Sequence, residues 1–238
     1  MSETSQKSSS SRAQDGLRPC LKERFVRTLV ISASPRDDGN SHLLACSAVD
    51  SARQAGHAVE HVFLDDYVER MVRNCRQCRR LEDNSCSLDD RYEELLLNKL
   101  LPADGIIFAM PLYFYGMPAR LKSVFDRLFC YLSNSAPQKD QVVSGITGKR
   151  IAVLISCEES YVGATQAVIA HFQEITRYLR QHLVGVVVGI GNSRGDIACD
   201  PNDPVGRAGA IAVSLYEARV TDYRVDSVRS SKVWESSD

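Results

Sequence analysis

The sequence predicts an α/β protein with five parallel strands in one sheet and helices on both faces, three layers in all. Three observations predict it. Short apolar runs rich in β-branched residues recur along the chain, as buried parallel strands require. Each is followed by a stretch whose apolar residues fall at helical spacing. The two kinds alternate strictly, so strand–helix is repeated five times, which implies parallel pairing through right-handed crossovers. At 238 residues the chain suits one domain or two small ones and can bury a core without staples.

The first strand is RTLVIS, 27–32, and the first helix runs from Ser41 to Ala55, with Leu43, Leu44, Ser47, Ala48 and Ala52 on one face and Gly56 as its stop. AVEHVFL (58–64) is the second strand and DDRYEELLLNKLL (89–101) the second helix. ADGIIFAMP (103–111) is the third strand, ending at Pro111. A helix over 118–132 follows, with Pro118 in its first turn, where a missing N–H is harmless. KRIAVLIS (149–156), a helix over 164–182, LVGVVVGIG (183–191) and a helix over 206–220 complete the series. Five such strands suit the order 2-1-3-4-5, whose ligands sit beyond the carboxyl ends of the strands at the switch point. The loops after strands one, three and four are therefore the ones to read.

Formal net charge is −1, which gives no field for nucleic acid or an anionic membrane, and no apolar run reaches the length of a membrane span. Residues 1–24 and 224–238 read as tails around one domain, 25–223. The first of them, polar and without an apolar signal core, reads as disordered. With no such signal, the reducing cytosol is the expected location, where the eight cysteines stay free, bind metal or do redox work.

The first loop, SASPRDDGNSHLL, leaves a buried strand and enters a helix, where backbone N–H groups and the helix dipole accept an anion. Ser34, Ser41, Asn40 and Arg36 are the donors, and Gly39 suits a sharp turn. The same residues equally suit an ordinary capped helix entry, and Asp37 and Asp38 oppose an anion unless they point outward. There is no Gly-Lys-Ser/Thr, and one glycine stands where a dinucleotide fingerprint needs three. The third-strand loop, Pro111-Leu112-Tyr113-Phe114-Tyr115-Gly116-Met117, is aromatic; alone it reads equally as buried core or as a contact between copies.

Together these two stretches resemble the NADPH-dependent FMN reductase family, flavodoxin-like oxidoreductases that include the iron–sulfur flavoproteins. SASPRDDGNSHLL resembles its S-x-S-P-R-x-x-G-N-S-x-x-L signature, and ADGIIFAMPLYFYGMPARLKSVFDR its second conserved segment; the resemblance covers roughly residues 27 to 192. It implies a flavodoxin-like three-layer sandwich binding FMN. Ser34, Arg36, Asn40 and Ser41 would hold the phosphate. Pro111, Leu112, Tyr113, Phe114, Tyr115, Gly116 and Met117 would lie along the flavin ring, with Ser156 at the end of strand four. It also implies NAD(P)H as electron donor and a quinone, flavin or similar small acceptor. The chemistry would be carried by flavin N5 without a catalytic side chain, in a homodimer or homotetramer. The alternatives are an iron–sulfur electron carrier and a non-enzymatic redox or binding module.

Two features depart from the family. After strand four, Cys157, Glu158 and Glu159 replace the usual glycines and hydroxyls. They read as a packed thiol and helix-capping acids, or as charges that disfavour an anionic reduced flavin and anionic substrates. Second, the family's four-cysteine cluster motif aligns with Cys75, Cys78, Leu81 and Cys86, and a leucine cannot ligate. The expectation is no metal. Cys75, Cys78 and Cys86 remain the candidate ligands, with Asp83 or Asp89 as a fourth group for zinc, and Cys75–Cys78 forms a candidate redox pair among arginines. His42, His57, His61, His171 and His182 read as surface or packed residues, and Arg120 and Lys122 as a solvated helix face carrying a Lys122–Asp126 pair.

Overall fold

In the computed structural model, the structure describes residues 26–73, 75, 77 and 86–218. The two tails, Cys78, Leu81 and Asp83 lie outside the described residues. Five strands form one parallel sheet: β1 (Arg27–Ser32), β2 (Ala58–Phe63), β3 (Gly105–Pro111), β4 (Arg150–Cys157) and β5 (His182–Ile190), in the order β2-β1-β3-β4-β5. The helices are α1 (Asn40–Gln54), α2 (Tyr92–Glu94), α3 (Ala119–Leu132), α4 (Lys139–Ile146), α5 (Gln166–Tyr178) and α6 (Pro204–Val213). Among the described residues no helix is long and apolar enough to cross a membrane.

Strand periodicity divides the core into two layers. In β3, Ile106, Phe108 and Met110 face α2, α3, α4 and α5, while Ile107 and Ala109 face α1 and α6. β4 alternates likewise, with Ile151, Val153 and Ile155 on the first face and Ala152 and Leu154 on the second. Small residues on α1 and α6 (Ala45, Ala48, Ala208, Ala212) let those two helices lie against the sheet and each other. Register aligns Ser32 with Ala109, Pro111 with Ser156, and Ser156 with Gly189, so strand ends form one carboxyl edge.

Several elements differ from expectation. The second helix continues from α2 as a π-helical segment, Leu95–Leu100, closed by the N–H of Leu101 donating to Leu96 O, and it buries Leu95, Leu96 and Leu100. Pro118 sits at the N-cap of α3 rather than inside its first turn. Helix α4 has only Val142 and Ile146 buried and contains a glycine, too weak a pattern to read in advance. The last helix stops at Val213. Gly56, at φ 86°, closes α1 as its sequence position implies.

At the opposite edge of the sheet, Lys149 is buried and its ammonium donates to Leu101 O at 2.9 Å and to Ala103 O. Burial pulls its pKa down to about 8. Below that pH folded and unfolded chains both hold the proton. Between 8 and the ordinary 10.5 only the unfolded chain does, so this group makes folding stability rise with pH across that window. Urea titrations should show the parent gaining stability relative to Lys149→Met from pH 8 to 10.5; parallel profiles would refute the assignment.

Candidate functional site

The carboxyl edge carries a cavity of about 410 Å³, within the usual range for small-molecule sites. Its walls come from four loops, not three. From the first loop come Ser34, Arg36, Gly39, Asn40 and Ser41; from the second, Pro111, Leu112, Tyr113, Phe114 and Tyr115; from the third, Ser156, Cys157, Glu158 and Glu159. The fourth wall, Gly191, Asn192, Ser193 and Arg194, follows β5.

The first loop leaves β1 with the Ala33 N–H donating to Ala109 O, which ties it to β3. Ser34 and Ser41 are buried, and the Ser34 hydroxyl accepts from Arg36 N at 3.1 Å. Gly39 is the N-cap of α1 at φ −83°, ordinary extended backbone, so the sharp turn expected of it is not made there. It supplies no side-chain cap, and the first turn of α1 holds no acid. The 15-residue helix thus presents its positive end to the cavity. Asp38, which sequence alone left as an obstacle to an anion, pairs with Arg194 at 2.5 Å; the Arg36 side chain is exposed.

Asn40 departs from its expected role. Its amide donates to Gly191 O at 3.2 Å and Ser193 O at 2.9 Å, and its Oδ1 accepts from Gly195 N at 2.9 Å. Both amide protons are spent, so Asn40 staples the first loop to the fourth wall instead of donating to a ligand. A Cβ on Gly191 would stand 2.8 Å from Ile197 N and 2.9 Å from Asn40 Nδ2, which is why glycine occupies that position. Asp196 holds the same loop by accepting from Ser193 N at 2.7 Å. The string GNSRGD carries only generic turn residues, so no local signal marked this wall.

The second loop turns back at once. Tyr113 N donates to Gly116 O at 3.1 Å and Gly116 N to Tyr113 O at 2.9 Å, around Phe114 and Tyr115 at φ 46° and 59°. Left-handed φ at both central positions is the mark of a type I′ turn, normally built from Asn and Gly. Tyr113 and Tyr115 are half-exposed and Phe114 is fully exposed, so these rings are not core. Gly116 and Met117 do not line the cavity: Gly116 closes the turn through its backbone, and the partly buried Met117 packs against the core.

In the third loop Cys157 is buried, and burial pushes its thiol pKa up, as expected of a packed thiol. Glu158 and Glu159 are exposed and do not cap the following helical turn, Val162–Thr165, which has Tyr161 at its N-cap and no acid in its first turn. The Tyr115 hydroxyl lies 3.5 Å from Glu159 Oε1 and shares a hydrogen bond with Tyr161, which, with the nearby charges, raises its pKa.

The cysteine segment is separate. Cys75 is exposed, 3.3 Å from Ser87 Oγ, and its pKa is lowered by hydrogen bonds from Gln77 backbone and Ser87. Cys86 lies 3.7 Å from Arg127 Nη2. Of the candidate Cys75–Cys78 redox pair, Cys78 lies outside the described residues. Among those described, no group of three His, Cys, Asp or Glu is placed to hold a metal. Lys122 pairs with Asp126 as expected, but Arg120 is not simply solvated: half-buried, it pairs with Asp65 at 3.2 Å and donates to Val68 O at 2.8 Å, tying α3 to the segment after β2. His42 stacks with both His61 and Phe63, His61 lies tilted against Phe63, and the Ser32 hydroxyl is 2.9 Å from His61 Nε2.

A doubly wound parallel sheet whose cavity sits at the carboxyl edge beside the β1/β3 switch defines the open α/β class that binds its ligands there. Within it, the chain belongs to the flavodoxin-like fold family, whose model matches residues 26–193. It is 35% identical over 102 residues to an iron–sulfur flavoprotein, MJ1083, of Methanocaldococcus jannaschii, covering 43% of this chain and 51% of that protein. A second iron–sulfur flavoprotein, from Methanosarcina thermophila, is 35% identical over 97 residues, covering 41% and 49%. The chain thus spans about half the length of these two relatives. YwqN of Bacillus subtilis, assigned by name to the NAD(P)H-dependent FMN-containing oxidoreductases, is 26% identical over 175 residues, 74% of this chain and 91% of that protein. Among solved structures, the NAD(P)H:quinone oxidoreductase of Methanothermobacter marburgensis superposes at TM-score 0.62 and 16% identity, covering 83% of this chain and all of that one; it shares the fold.

Proposed function

We propose that the protein is an FMN-dependent NAD(P)H oxidoreductase reducing a quinone, a flavin or a similar small acceptor. One observation carries the reading. The uncapped start of α1, with Ser34, Ser41 and Arg36, lines the same cavity as the exposed aromatic turn at 113–115. The first suits a phosphate dianion and the second a flat ring. The family match and the resemblance to YwqN support it.

Bound FMN would supply a two-electron relay between nicotinamide and acceptor. The net reaction takes a hydride from NAD(P)H and a proton from water, and yields NAD(P)⁺ and a hydroquinone. The chain's own part is positional. Ser34, Ser41 and Arg36 would hold the phosphate, the Asn40 staple fixes the first loop, and the aromatic turn and Ser156 would flank the ring. No side chain need move a proton. A cytoplasmic location and a homodimer or homotetramer belong to the proposal; the exposed Phe129, outside the cavity, offers apolar surface for self-association.

Purified protein given FMN should show a flavin spectrum that bleaches on anaerobic addition of NADPH or NADH. Arg36→Ala should weaken FMN binding about ten- to a hundredfold, the loss of one charge-assisted hydrogen bond. A protein that cannot be loaded with FMN would end this reading. The iron–sulfur carrier keeps in its favour the 35% identity to two iron–sulfur flavoproteins and the exposed Cys75; iron and labile sulfide in the purified protein would move the assignment there.

A further inference from the structure

The mouth of the cavity is divided by charge. Arg36 and Arg194 stand where the first and fourth loops meet, and Arg194 is already paired with Asp38. Glu158 and Glu159 line the third loop. Neither of these carboxylates makes an ion pair among the described residues, and neither is used by the helical turn that follows. Around them stand ring faces: Tyr115, hydrogen-bonded to Tyr161 and within 3.5 Å of Glu159, the half-exposed Tyr161, and the fully exposed Phe114.

We infer that this end of the site selects flat electron acceptors that carry a positive charge and discriminates against anionic ones. The inference rests on the flavin-reductase reading above and adds the substrate class. Two uncompensated carboxylates raise the local concentration of a cation and lower that of an anion. Aromatic faces stabilise a cation further through their ring quadrupoles, an attraction an anion does not share. The electron balance is that of the net reaction: two electrons and a proton from NAD(P)H and one proton from water convert the quinone to its hydroquinone, and the fixed charge on the substrate's side arm takes no part.

The test uses the FMN-loaded protein and three 1,4-naphthoquinones: one bearing a trimethylammonio-alkyl arm, one a sulfonato-alkyl arm of the same length, and the 2-methyl compound as a neutral reference. At an ionic strength of about 10 mM, where screening reaches only beyond about 30 Å, kcat/KM for the cation should exceed that for the anion about tenfold. Added salt at about 1 M should shrink the ratio toward unity. In Glu158→Gln/Glu159→Gln the low-salt ratio should also fall to near unity. A ratio near unity in the parent, or an undiminished ratio in the double variant, overturns the inference while FMN binding and turnover of the neutral quinone leave the reductase reading standing. Failure to load FMN removes both together.

Discussion

Replacing Arg127 with methionine is expected to lower the unfolding free energy by about 3–5 kcal/mol, the usual cost of removing one partner from a buried ion pair. The side chains of Arg127 and Asp90 are only 2% and 1% exposed. The guanidinium grips the carboxylate through two hydrogen bonds, of 2.5 and 2.8 Å, lies 4.1 Å over the Tyr92 ring, and donates to Arg70 O. Asp90 also accepts from the N–H groups of Glu69 and Arg70. Burial alone would raise the Asp90 pKa, but the Arg127 and backbone hydrogen bonds outweigh it and hold the carboxyl below its ordinary range. The stability it contributes is therefore complete above the ordinary value of 3.8 and is lost as pH falls below it. Urea titration at neutral pH reads the main effect. Arg127→Met/Asp90→Leu, which removes both charges, should recover part of the loss. A single-variant loss under about 1 kcal/mol would mean that the pair contributes no more than a surface contact.

The largest expected effect on ligand binding comes from Asn40→Asp, which should weaken FMN by a hundredfold or more. The exchange removes two donors that face Gly191 O and Ser193 O and sets a negative charge at the start of α1, beside the proposed phosphate position. The charge itself suits the helix dipole, so α1 should survive. Asn40→Ala separates the two causes. It loses the same staple, at about 2–4 kcal/mol of stability for three hydrogen bonds, yet adds no charge, and should weaken FMN only about tenfold. Titrations following flavin fluorescence give both constants. Equal affinities for Asn40→Asp and the parent would show that the anion does not bind at the start of α1.

The sheet was legible because its three central strands, β1, β3 and β4, are buried on both faces and so appear as unbroken apolar runs, such as IIFAM and IAVLI. The first and third helices were legible from their periodicity and from Gly56 and Pro118. The π segment was not, since LLLNKL fits an ordinary helix and its winding is set by what packs on it. The site was half legible. Chain order and strand polarity place the first three loops at one edge. The fourth wall depends on a contact 151 residues apart in sequence, between Asn40 and Gly191, which no local pattern encodes. For the same reason Asn40 looks like a ligand donor in the sequence, and only its tertiary partners show that its amide is already engaged.

The turn at Phe114 and Tyr115 places two bulky side chains where the backbone favours glycine, at a cost on the order of 1–2 kcal/mol each. Selection for heat tolerance alone would then drift toward glycine or asparagine at these positions, removing the outermost rings of the cavity before touching any part of the core. Durability and ring-stacking surface are thus in direct competition at two adjacent codons.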